Sequence, residues 1–418
     1  MMRGRAGGLA VVALSLALAA CAGGSSPRAA ATSSGTMPVP PASQTGTAQP
    51  AVPPASPTAP AATFPPGTSI LTRAFSFGAV AWSPDGSAVA AEALGQTMGT
   101  GRVDLFAPDG AALASIPGFD FGWLDARRLL VFQTTPNNAA SGVVSEWTSS
   151  GHLVDRLAGT YGGVLANGHG AALLHRAPPP YAYAGTDFQF WANGRLSPMI
   201  TAPGMPVAWS PDGRLVAVTE STATVRVTDG VTLASTGGPI MGFLHVLRFP
   251  DGAVVRSFRD HPINLQGGVA WSPNSRYVAA GNYGAEGVLV FDLSTGDVWP
   301  VQVPASFWRW APDGRLAITN PDGTTLMWNP KASLTASGLP AGHPIWGPSM
   351  DEVAILPEGQ PPGLAVMLRT PGTALSVRVD SGGPGFPVAW ARDGTSCLLT
   401  TASTTMGRAD ELLRVPLS

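Results

Sequence analysis

The sequence predicts an all-β chain folded as a single β-propeller of four-stranded blades. Eight blades are expected, or seven if one degenerate repeat copy is not a true blade. Three observations lead there. The stretch Val80-Ala-Trp82-Ser-Pro-Asp-Gly86 returns as Val207 to Gly213, and more loosely around Trp271, Trp310 and Trp390. Its copies are spaced by roughly forty residues, the length of four short strands. Between copies lie second hairpins punctuated by Asp-Gly, Asn-Gly and Thr-Gly pairs, the dipeptides that tight strand-to-strand turns require.

The repeated stretch reads as strand, turn, strand. Proline presets φ for the turn, aspartate bonds its own backbone two residues on, and glycine takes the position with positive φ. Runs such as Leu215-Val-Ala-Val218 follow each copy. The repeat slot is filled by Trp82, Trp123, Trp209, Trp271, Trp310, Trp346 and Trp390. One copy is missing between Trp123 and Trp209. Gly163-Val-Leu-Ala166-Asn-Gly168 supplies it, with Ala166 in the tryptophan slot.

Second hairpins are expected from Val103 to Gly110, Val143 to Gly151, Phe188 to Gly194, Val225 to Gly230 and Val288 to Gly296. The interval from Trp209 to Trp271 is 62 residues and holds one hairpin too many, His245 to Phe249 followed by Pro250-Asp-Gly252. The expectation is an insertion in that blade. The last copy, at Trp390, leaves room for three strands, and Ser69 to Phe75 reads as an unpaired strand. The two belong together: the N-terminal strand completes the last blade near Leu412 to Val415, so the ring closes without an open edge.

With these motifs in place, residues 69–418 resemble the TolB-like, or WD40-like Pro-Asp repeat, β-propellers. No copy ends in the Trp-Asp pair of true WD40 repeats. The resemblance implies a non-catalytic propeller, and related propellers also occur beside hydrolase domains. The Gly-x-Ser-x-Gly elbow of those hydrolases does not occur in this sequence.

Three domains follow. Residues 1–21 read as a secretory signal: Arg3 and Arg5, an apolar run from Leu9 to Ala20, then Leu18-Ala-Ala-Cys21. That ending resembles the bacterial lipobox, which implies a lipidated Cys21 and a membrane anchor, since each buried methylene contributes about 0.8 kcal/mol. Residues 22–67 are Ala, Pro, Ser, Thr and Gly without hydrophobic periodicity, so they are expected to be a disordered tether. Residues 68–418 form the propeller.

Charge narrows the partners. Net charge is −2 and 12 % of residues are charged, so no basic surface points to nucleic acid. Beyond the signal no apolar run approaches the ~20 residues of a membrane span. Two cysteines are present. With Cys21 lipidated no intrachain disulfide remains, and Cys397, seven residues after Trp390, falls in a core slot that other copies fill with small hydrophobes.

No catalytic residue, metal site or cofactor is expected. None of the six histidines stands at ligand spacing from another His, Cys or carboxylate, and no serine is singled out as a nucleophile beside an oriented histidine. The repeat tryptophans are expected to pack between blades. The reading is a lipid-anchored extracytoplasmic binding module rather than an enzyme, held to the bacterial cell membrane, or to an outer membrane where one exists. Its partner would be an envelope protein or polymer. The alternative is a hydrolase or lyase of envelope polysaccharides with carboxylates in the central channel. The regular Pro-Asp-Gly turns share one face; the irregular segments collect on the other. Tyr161, Tyr181, Tyr183, His261 and Tyr283 fall in those segments and are the expected partner-binding face, because tyrosine offers a rigid surface with a polar tip.

Overall fold

The computed structural model describes residues 67–417, except 75, 96–100, 136–137, 176–186, 203, 223–226, 229–230, 233–239, 284, 331, 357–364, 371–372, 379–385 and 401–409. The described residues contain strands and turns and no helix. Each four-stranded unit carries a repeat copy on its first strand. Ser76–Trp82, Val89–Leu94, Gly101–Phe106 and Ala112–Pro117 pair in chain order, as do Phe119–Trp123, Arg128–Thr135, Asn138–Thr148 and Leu153–Arg156. The Trp310 and Trp346 copies open two further four-stranded sheets. All these pairs are antiparallel, so first-to-second and third-to-fourth turns share one face and the remaining connections the other.

The Ala166 copy is a full member. Gly163–Ala166 pairs with Ala171–Leu174, which continues to Asp187–Ala192 and Arg195–Leu196. The last sheet closes on the chain's own beginning: Ser69–Ala74 lies beside Asp410–Pro416, with Ser69 opposite Arg414 and Ala74 opposite Asp410.

The Trp209–Trp271 interval departs from expectation. Met241–Arg248 and the start of Val254–Trp271 are the third and fourth strands of the Trp209 sheet itself. The additional hairpin is the earlier one, where Val227–Thr228 and Val231–Thr232 form a separate two-stranded sheet. The physical reason is burial. The Met241–Arg248 strand has apolar residues for both of its faces, and five of its eight residues are buried. The Val254–Trp271 strand then runs without interruption into the next unit, so two four-stranded units share it in one seven-stranded sheet. Ile263 and Asn264 pair on both sides, with Gly242 and Met241 in one unit and with Asn282 and Gly281 in the next.

The core lies between sheets. Ala90, Val103, Leu105 and Ile116 of the first sheet pack on Phe121, Trp123, Leu129 and Val131 of the second; at the closing seam Val89, Ala91 and Phe106 pack on Leu398 and Leu412. Alternating residues of one strand thus serve two neighbours, as the two-residue period of a strand demands. First strands touch their successors from Ser76–Trp82 to His343–Trp346. Val353–Leu356 then touches Phe386–Trp390, which returns to Ser76–Trp82, so the contacts form a ring.

The tryptophan slot is the joint of that ring. The indole N–H of Trp123 donates to Ala81 O, that of Trp209 to Leu165 O, and that of Trp271 to Ala208 O. Trp310 donates to Ala270 O and Trp390 to Ile345 O. Each acceptor immediately precedes the slot of the previous sheet, including Leu165 before Ala166. The turn after the slot repeats as well. Ser83 Oγ donates to Asp85, which accepts from the Ser87 amide, and the Ala88 amide returns to Ser83 Oγ. Ser210 and Asp212 repeat this pattern, as do Ser272 and Asn274. Those bonds hold the Asp85 carboxyl down at about 2, the Ser87 amide contributing most.

Cys397 sits opposite Trp390, fully buried, and burial pushes its thiol up out of the reactive range. The seven-residue spacing holds there and at Trp82, Trp209, Trp271 and Trp346. It does not hold at Trp123 or Trp310, which pair with Leu129 and Leu316, one residue earlier than expected.

Candidate functional site

Of the residues expected on the irregular face, Tyr181 and Tyr183 lie outside the described residues, as does Cys21, the expected lipidation site. The structure corrects Tyr161. It is 1 % exposed, packed with Phe132, Val144 and Leu173. Its hydroxyl donates to Ala158 O at 2.8 Å, its ring stands 5.0 Å from that of His175, and burial raises its phenol. A ring so enclosed offers a partner nothing. No periodic pattern marks Tyr161 as a core residue, because its strand-like contact is an isolated bridge to Gly142.

The structure brings His261 and Tyr283 together. They sit where the shared strand turns from the Trp209 unit into the Trp271 unit. The Tyr283 amide donates to Pro262 O at 3.4 Å, and Ile263 pairs with Asn282. His261 is exposed, as are Arg259 and Asp260 beside it, and Tyr283 is half-buried. Residues 259–262 bulge out between the pairs Leu244–Phe258 and Gly242–Ile263. Such bulges re-aim side chains out of a ladder. Arg259 reaches back to Glu220, with Nη2 3.0 Å from the carboxylate. The result is a patch of imidazole, phenol, guanidinium and carboxylates held on strands that are themselves paired on both sides.

A second polar group lies nearer the ring's inner strands, where the enzyme alternative would need carboxylates. Glu92, on the second strand of the first sheet, accepts the Ala79 amide on Oε2 at 3.1 Å and the Asp120 amide on Oε1 at 3.2 Å. Asp120 adopts a positive φ of 58° and accepts the Val164 amide at 2.9 Å. Two carboxyls therefore tie three consecutive sheets by backbone N–H groups. Burial pushes Asp120 up to about 7, with the charge of Glu92 adding to it, and burial likewise raises Glu92. These groups serve first as structural acceptors. Among the described residues no three side chains of His, Cys, Asp or Glu gather to hold a metal ion.

No family model matches the chain, and no curated protein sequence matches it. Among solved structures, a eukaryotic initiation factor is similar at 14 % identity, covering 82 % of this chain and 87 % of that one, with a TM-score of 0.49. BamB from Moraxella catarrhalis is similar at 12 %, covering 80 % and 95 %, with a TM-score of 0.45. The β-propeller domain of the trilobed protease from Pyrococcus furiosus is similar at 10 %, covering 62 % and 80 %, with a TM-score of 0.39. At such values the likenesses carry no argument about what this chain binds. The fold rests on its own strand pairing.

Proposed function

We propose that this chain is a lipid-anchored, extracytoplasmic propeller of eight blades that docks an envelope protein or polymer. The reading takes the two halves of the seven-stranded sheet as two blades and Cys21 as the lipidated residue. The observation that supports docking is the patch at the shared strand. His261 is exposed and Tyr283 half-buried; the Tyr283 amide bonds Pro262 O, next to His261, and Ile263 pairs with Asn282 across the two units. Aromatic and cationic groups on a preorganised backbone gain contact area without a large ordering cost. The tether would lift this face clear of the membrane.

Chemical crosslinking on native membranes tests the reading. His261→Ala combined with Tyr283→Ala should lower recovery of the crosslinked partner by more than about tenfold. The melting temperature of His261→Ala alone should stay within a degree or two, since exposed substitutions change stability little. Asp109→Ala, on the opposite face of regular turns, should leave capture intact. Capture lost with Asp109→Ala but kept in the double variant would reverse the face. Cys21→Ser should move the protein from detergent to aqueous phase; unchanged partitioning would remove the anchor.

A further inference from the structure

Three polar side chains on adjacent strands of the Trp209 sheet form one continuous chain of hydrogen bonds. Val218, His245 and Ser257 lie opposite one another on the second, third and fourth strands. Ser257 Oγ stands 2.9 Å from His245 Nδ1, and His245 Nε2 stands 2.9 Å from Glu220 Oε2. The neighbours of His245 on its strand, Leu244 and Val246, pack toward the Trp271 unit. By alternation His245 points the other way, into the side lined by Val218, Leu247 and Phe188.

Burial grades along this chain. His245 is 2 % exposed, the Glu220 side chain is 24 % exposed, and Ser257 is open to solvent. A carboxylate only accepts, so the Glu220 contact places the ring proton on Nε2. Nδ1 then carries the lone pair, and the Ser257 hydroxyl is the donor toward it. Arg259 holds Glu220 from the other side at 3.0 Å. An exposed hydroxyl, a buried base with one defined lone pair and a carboxylate fixing that tautomer are the roles a nucleophilic serine needs. The two ring nitrogens are exchanged relative to the familiar serine triad, but either nitrogen of an imidazole can take the proton.

We propose that Ser257 is a nucleophile toward carboxylic esters, with His245 its general base and Glu220 the residue that positions the base. Oγ attacks the ester carbonyl carbon, forming the acyl–serine bond while the serine proton passes to Nδ1. The ester C–O bond breaks, and the departing alcohol takes that proton. Water then attacks the acyl-serine, giving its proton to Nδ1. The acid leaves and Oγ recovers the proton. The ester and water supply every atom, and no electrons are exchanged. This site adjoins the docking patch and shares Glu220 and Arg259 with it, but its chemistry needs no partner.

The test uses the purified full chain and a fluorophosphonate probe, which forms an Oγ–P bond and releases fluoride with the serine proton. Peptide mass spectrometry should find the label on Ser257. Ser257→Ala, an exposed change, should remove it. His245→Gln should slow labelling by about 100-fold or more, the range lost with a general base. Glu220→Gln keeps a polar group of the same size; it should lower kcat for p-nitrophenyl acetate while leaving KM unchanged, as expected when only transition-state assistance is lost. A wild-type chain unlabelled at Ser257, under conditions that label a control serine hydrolase, overturns the proposal. So does a His245→Gln chain that folds and labels at the wild-type rate. If His245→Gln does not fold, the wild-type label and the Glu220→Gln kinetics decide. Labelling is read without any partner, so its failure leaves the docking reading standing, and lost capture leaves this one standing.

Discussion

Two kinds of junction hold the ring. At five described junctions a tryptophan donates its indole N–H to the carbonyl before the preceding slot. At the seam where the ends of the chain meet, Trp82 occupies the same slot, yet its Nε1 is buried without a partner among the described residues. That seam is laced differently. Buried Asp104 of the first sheet accepts Thr72 Oγ1, Arg102 Nε and Ser115 Oγ, while Arg102 also donates to Arg73 O. Arg392 crosses to Pro84 O at 2.7 Å. A covalently continuous chain can repeat one joint, but its two ends must be brought together by something else. Here a borrowed strand and a polar network do what the indole bond does elsewhere.

The largest test of this contrast removes the borrowed strand. Deletion through residue 76 should cost more than about 4 kcal/mol, beyond the range of ordinary point changes. It also exposes the Asp410–Pro416 edge to aggregation. Deletion of residues 22–66 should leave the denaturation midpoint unchanged. Equal midpoints for the two truncations would show that the seam does not hold the ring.

Next come the two tryptophans compared. Trp209→Phe and Trp82→Phe lose similar ring area, but the first also orphans Leu165 O. Denaturant titration should place Trp209→Phe about 1–2 kcal/mol below Trp82→Phe, the value of one buried hydrogen bond with its desolvated partner. Identical losses would make the indole bonds incidental.

A third case sharpens the rule by exception. Where Ala166 fills the slot, no indole bond can form toward the Phe119–Trp123 strand, and the sheets close up instead. A methyl on Gly122 would collide with the Ala166 methyl and press on its backbone nitrogen. Gly122→Ala should therefore cost about 1–3 kcal/mol by overpacking, read as a lowered melting temperature. A neutral result would mean that this junction has slack.

The last test is titration. Asp120 is held near 7 in the fold against an ordinary value of 3.8. Between these values the folded chain carries a proton that the unfolded chain has lost. Stability should therefore fall as pH rises from about 4 to 7 and level off above. Asp120→Asn retains an acceptor for the Val164 amide and removes the charge, so it should flatten that stretch of the curve. An unchanged slope in the variant would assign the pH dependence to other groups.

Much of the architecture was legible because it repeats. The tryptophan slot, the Pro-Asp-Gly turn and the closing strand are local signals, and even Ala166 could be placed by spacing. The Trp209–Trp271 interval misled because two hairpins carry the same turn punctuation, and only packing tells which belongs to the sheet. The site was far less legible. Tyr161 has the composition of a loop residue and the environment of a core one. Glu220, His245 and Ser257 lie 25 and 12 residues apart, so nothing aligns them before the strand register is known. Glu92 and Asp120 meet for the same reason, through pairing of neighbouring sheets.

The strand from Val254 to Trp271 carries a mechanical consequence. Other described sheets adjoin through packed side chains and single bonds, such as the Trp209 indole to Leu165 O or the Gly168 amide to Trp123 O, so each can tilt a little against the next. Ile263 and Asn264 are bonded in both directions, so their two sheets behave as one double-width plate. A load applied at His261 or Tyr283 is delivered to both halves at once, and the ring must yield, if it yields, somewhere else along its circumference.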